Sequence, residues 1–122
     1  IPFARLLEPQ LPSTQVIRRG EGTKVVAGQA NYEAILLAAC PPGARRDVYL
    51  LMTQPGADRI SQPHSPGSVE HIIVMQGRAL VGLLDAAEEL AAGDYICYPA
   101  DQPHIFKALE PDTHALLVAE QN

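Results

Sequence analysis

The chain has 122 residues, a formal net charge of -5 and 47% hydrophobic residues, a composition that argues against a disordered chain and suits one domain with its own core. The acidic balance excludes nucleic acid held by this chain's own charge, since that requires a basic face. No apolar stretch approaches the roughly 20 residues of a membrane helix, and Cys40 and Cys97 form neither a CxxC pair nor a secreted disulfide framework. They read as buried, reduced thiols in a cytoplasmic protein.

The first predicted element is a short helix in "IPFARLLEPQLP", where Phe3, Leu6 and Leu7 recur at helical spacing before Pro9 and Pro12 stop it. A Pro/Ser/Thr/Gln stretch then reads as a linker. Short runs rich in β-branched and aromatic residues follow: Lys24 to Ala27, Tyr32 to Ala39, Asp47 to Thr53 and Glu70 to Gln76. The series continues with Arg78 to Leu84, Asp94 to Tyr98, His104 to Leu109 and His114 to Ala119. Turn signals such as Pro42-Gly43, Pro55-Gly56, Pro66-Gly67 and Pro111-Asp112 punctuate them. About eight strands at this spacing predict an all-β sandwich or barrel.

Two segments, "PHSPGSVEHIIVMQG" and "GDYICYPADQPH", resemble the two motifs of the cupin family. The first family motif runs His-x-His, three or four residues, Glu, six residues, Gly. Here His64, Glu70 and Gly77 stand in register, and Pro66 replaces the second histidine. The second motif runs Gly, five residues, Pro-x-Gly, two residues, His, three residues, Asn. Gly93, Pro99 and His104 match it, while Asp101 replaces the glycine and Ala108 the asparagine. The resemblance implies a cupin-type double-stranded β-helix, or jelly-roll barrel, over residues 14–122, with a short helical segment before it.

The opening "IPFARLLEP" resembles the exit of an Xre-type helix-turn-helix domain, so residues 1–13 are expected to be the end of such a domain or a linker. The chain also begins with Ile rather than Met, and a longer parent protein is expected.

In a cupin barrel, inward side chains of strands distant in sequence converge at the mouth. His64, Glu70 and His104 would be that set. Two imidazoles and a carboxylate suit a divalent transition metal such as Zn, Fe, Mn or Ni, with positions left open. Pro66 carries no donor atom, so a metal-free site, whose polar groups bond each other or an organic ligand, stands beside the metal reading. An ionised Glu70 in an apolar barrel needs a partner, and His64 or His104 is the expected one.

Strand alternation turns His71 away from Glu70, toward an interface or outer layer. Phe106 shares the face of His104 and becomes an apolar wall, and Tyr98 and Arg46 complete the expected ligand-binding residues. Arg45 and Arg46 lead into a strand in which adjacent positions alternate faces, so one of them could reach an anionic effector, with a solvated turn as the alternative. Tyr95 reads as core or interface, and His114 as an exposed strand end.

Two functions compete. The first is the effector-sensing domain of a bacterial helix-turn-helix transcriptional regulator, binding a small molecule, acting as a homodimer and meeting DNA only through an N-terminal domain outside this chain. The second is a small metal-dependent cupin enzyme of dioxygenase or isomerase type. The sensing module is preferred for the helix-like start, the missing Met and the wording of the first motif, which resembles that of such regulators, and no separate acid or base stands at a predictable position to favour the enzyme.

Overall fold

The computed structural model describes residues 16–18, 20–26, 32–38, 45–56 and 59–121. The expected N-terminal helix, the boundary after residue 13 and Cys40 lie outside them. Among the described residues no helix is long and apolar enough to cross a membrane.

Among the described residues ten strands follow in order: β1 (Thr23–Val26), β2 (Tyr32–Ala38), β3 (Arg46–Thr53), β4 (Arg59–Ser61) and β5 (Val69–Gln76), then β6 (Arg78–Leu83), β7 (Glu88–Ala91), β8 (Tyr95–Pro99), β9 (His104–Ala108) and β10 (Thr113–Glu120). They form a six-stranded sheet, β1-β2-β3-β10-β5-β8, and a four-stranded sheet, β4-β9-β6-β7. Every pairing is antiparallel. Two antiparallel sheets enclosing one core are the jelly-roll barrel the sequence predicts.

Period-two alternation decides what faces that core. In β5, Glu70, Ile72 and Val74 are buried, whereas Ile73 and Met75 are exposed. In β3, Asp47, Tyr49 and Leu51 line the interior. Leu51, Ile72, Val74 and Val81 are almost wholly buried, each contributing roughly 1.5–3 kcal/mol by leaving water.

Two short strands were not predicted. The three residues of β4 are too few to show a period, and β7 opens with Glu88 and Glu89, which disfavour strands. As the edge of its sheet β7 tolerates them, and charge there discourages pairing with another chain. Glu89 forms an ion pair with Arg78 of β6. The expectation of a buried Cys97 is also corrected, because Tyr98 faces the core and Cys97 therefore points outward, exposed on edge strand β8.

The glycine closing the first motif has a physical reason. Gly77 joins β5 to β6 with φ 83°, a left-handed conformation costly for other residues. A Cβ there would also stand 2.9 Å from Thr113 Cα. Thr113 is itself fixed, since its hydroxyl donates to the Glu110 carbonyl at 2.8 Å.

Candidate metal and ligand site

His64 precedes β5 in a loop, Glu70 is the second residue of β5, and His104 opens β9. Backbone hydrogen bonds staple the loop to the turn before β9. The His64 amide donates to Ala100 O at 2.8 Å, and the Ala100 amide donates to Ser68 O at 2.8 Å. The Gly67 amide donates to Asp101 Oδ2 at 2.9 Å, so the residue replacing the second motif's glycine ties the two motifs together. Pro66 is exposed in this loop.

The three donors meet inside the barrel mouth. His64 Nδ1 and His104 Nε2 each stand 3.5 Å from Glu70 Oε2, and one donor atom from each residue lies within 4.8 Å of the others. An ion held at about 2.1 Å in a tetrahedral shell spaces its donors roughly 3.4 Å apart, which both 3.5 Å pairs through Glu70 match, while the set as a whole is held within 4.8 Å.

Hydrogen bonding also favours positive charge between these groups. His104 Nδ1 lies 2.8 Å from Gln102 O, a carbonyl that can only accept, so Nδ1 carries the proton. In neutral His104, Nε2 then presents a lone pair toward Glu70 Oε2. A proton, a metal ion or a cationic group of a ligand reconciles these two acceptors.

Glu70 is buried, and its remaining oxygen is satisfied by a donor the sequence did not reveal. Tyr98 OH donates to Glu70 Oε1 at 2.5 Å. Burial pushes the Glu70 carboxyl up, but His104, which donates to it when Nε2 is protonated, the Tyr98 bond and the charge of His64 outweigh burial and hold the group below its ordinary range. Burial and the neighbouring Glu70 charge push the Tyr98 phenol well above its usual value, which keeps it a donor.

Beside these groups lies a cavity of about 260 Å³, small against the roughly 300–1,000 Å³ of drug-sized pockets. Tyr98 and Phe106 line it, as does Tyr32, whose ring meets Phe106 edge-on at 6.0 Å. Arg46 is exposed and does not line it; the next residue, Asp47, does, together with Tyr49. Burial, Asp47 and then Glu70 push the Tyr49 phenol up, a sign that the field of both carboxylates reaches the cavity wall. Alternation running back from Leu51 could have found Asp47 and Tyr49, but not which face of the strand turns inward.

His71 lies on the outer face, where its ring nitrogens meet Tyr95 OH and Glu120 Oε1, both at 2.7 Å. His114 is a half-buried residue near the start of β10.

A two-sheet antiparallel barrel with two imidazoles and a carboxylate converging at one mouth is a jelly-roll whose mouth holds a donor set that could accept a metal ion. The family model described as "Cupin domain" matches residues 49–119, and the chain belongs to the cupin family. Among solved structures it is similar to an HTH_3 family transcriptional regulator from Vibrio cholerae, at 22% identity and a TM-score of 0.71, covering 75% of this chain and 52% of that one. The chain thus spans about half of that regulator's length. It is similar to the Cupin_2 domain of an XRE family transcriptional regulator from Enterobacter cloacae, at 20% identity and a TM-score of 0.68, covering 73% and 95% of the two chains. The polyketide cyclase RemF from Streptomyces resistomycificus is similar at 23% identity and a TM-score of 0.66, covering 88% and 79%. These likenesses are of fold, and they include regulators and an enzyme alike. No curated protein sequence matches the chain.

Proposed function

We propose that this chain is the effector-sensing domain of a cytoplasmic helix-turn-helix transcriptional regulator, with residues 1–13 the end of the DNA-binding domain or a linker and 14–122 the sensor. The observation that carries the reading is the small cavity opening onto His64, Glu70 and His104, and the regulator domains of like fold support it. The three residues anchor the effector through a divalent metal (Zn, Fe, Mn or Ni) or directly, while Tyr98 and Phe106 wall it in. The sensor acts as a homodimer, and filling the cavity changes DNA affinity because the effector binds two states of the dimer unequally.

The test is made on the intact gene product. Binding to its own promoter DNA should respond to a cell extract, and a His104→Ala variant should bind the DNA without responding. An upstream reading frame lacking any helix-turn-helix sequence contradicts the proposal.

A second reading, a metal-dependent cupin enzyme, is favoured by the 3.5 Å donor spacing around Glu70 Oε2 and by the fold likeness to a polyketide cyclase. Stoichiometric metal, lost in His104→Ala together with a measured turnover, would establish it. Metal-free protein of ordinary stability would count against it.

A further inference from the structure

A carboxylate can meet a metal ion through one oxygen or through both, and for Glu70 that choice sets how many positions the protein itself fills. The strand register bears on it directly. Glu70 and Tyr98 are partners across β5 and β8, so their side chains stand next to each other on the inner face. Both are buried there.

The two oxygens of Glu70 have different neighbours. Oε2 lies 3.5 Å from His64 Nδ1 and 3.5 Å from His104 Nε2, so it is the oxygen that shares a meeting point with the imidazoles. Oε1 is held by the Tyr98 hydroxyl at 2.5 Å. An ionised carboxylate only accepts, so the phenol is the donor, and a bond of this kind is among the strong ones.

The phenol is not free to follow if the carboxyl turns. Its ring packs beside that of His104, with centroids 5.4 Å apart. The backbone two residues on is pinned twice, the Ala100 amide donating to Ser68 O and Ala100 O accepting from the His64 amide, both at 2.8 Å. One segment thus fixes the phenol, the entry to β5 and the loop of His64. Turning both Glu70 oxygens toward an ion would break the Tyr98 bond and strip a buried hydroxyl of this acceptor, which is costly. Pro66, exposed in the same loop, adds no donor atom.

We infer that Tyr98 is a positioning residue for a metal ion at this site: by holding Oε1 it restricts Glu70 to Oε2. His64, Glu70 and His104 then supply one atom each, and the rest of the ion's shell is left to whatever enters the cavity. Such open positions are where water or a ligand binds. The inference rests on the metal-anchored form of the reading above and states what that anchor offers an effector.

The test uses the whole 122-residue chain, made with isotope-labelled glutamate, and takes the infrared difference between zinc-loaded and chelator-stripped protein. Binding through one oxygen separates the two carboxylate stretching bands widely, and binding through both draws them together. The native chain should show the wide separation and Tyr98→Phe the narrow one, while Glu70→Gln should remove the bands and so assign them. A merely structural Tyr98 would change zinc affinity without moving the bands. A narrow separation in the native chain, or an unchanged one in Tyr98→Phe, overturns the inference and leaves the metal site standing. No zinc-dependent glutamate band in the native chain overturns the metal-anchored reading and the inference with it, leaving direct anchoring of the effector. If Tyr98→Phe does not fold or hold zinc, the native chain decides by proton resonance. The Tyr98 hydroxyl proton should keep its downfield signal when zinc is added, and its loss overturns the inference.

Discussion

Glu70 concentrates the chemistry of this barrel: it is buried, held ionised by its neighbours, and bonded by Tyr98. Its folded carboxyl titrates below the ordinary value of 4.5, so between the two values the unfolded chain binds more protons than the folded one. Stability from this group is thus fully present above the unfolded value and is lost as pH falls through the folded one. In chelator-stripped protein, the stability difference between the native chain and Glu70→Gln should be widest near neutrality and shrink below about pH 4.5, read by urea unfolding. A difference constant across that range contradicts the depressed carboxyl. Tyr98→Phe should cost about 1–3 kcal/mol at pH 7, because it strips a buried carboxylate oxygen of its donor. A loss under half a kcal/mol would mean that solvent reaches Oε1 after all. The spacing of His64, Glu70 and His104 was legible in the sequence because two short motifs fix it. The Tyr98 bond was not, because it depends on the pairing of Glu70 with Tyr98 across β5 and β8, a long-range register that no local pattern states.

Among the elements, the turn from β5 to β6 and the loop before β5 do most to place the site. Gly77→Ala combines a left-handed backbone penalty of about 1–2 kcal/mol with a clash against the Thr113 backbone. A total loss near 3 kcal/mol is expected once overpacking is included, seen as a lower denaturant midpoint at unchanged slope. A neutral substitution would show that the turn relaxes away from Thr113. Most strands were legible from alternation and turn residues, as β5, β6 and β10 illustrate. β4 and β7 were not: one is too short for a period to appear, and the other carries exposed glutamates that only its edge position permits. The interior face of β3 was hidden for a related reason. Arg45 precedes the strand and Arg46 and Asp47 begin it, three charges in succession, so the sequence does not say which of them turns inward.

At the scale of the whole molecule, the outer face of the six-stranded sheet carries exposed apolar side chains. Ile73 is 40% exposed and Met75 47%, on a strand whose inner face is sealed. Such a face favours self-association. Sedimentation at micromolar concentration should show a species near twice the chain mass, and Met75→Lys should shift it toward monomer. A single 13.1 kDa species at all concentrations contradicts the dimer. The central claim, that the barrel mouth is a binding site centred on His64, Glu70 and His104, is tested most directly by diffraction from protein purified without chelator. The account predicts electron density for a metal or organic group within bonding distance of His104 Nε2 and Glu70 Oε2. Ordered water alone in the mouth, with His104 making all its contacts to protein, would contradict it.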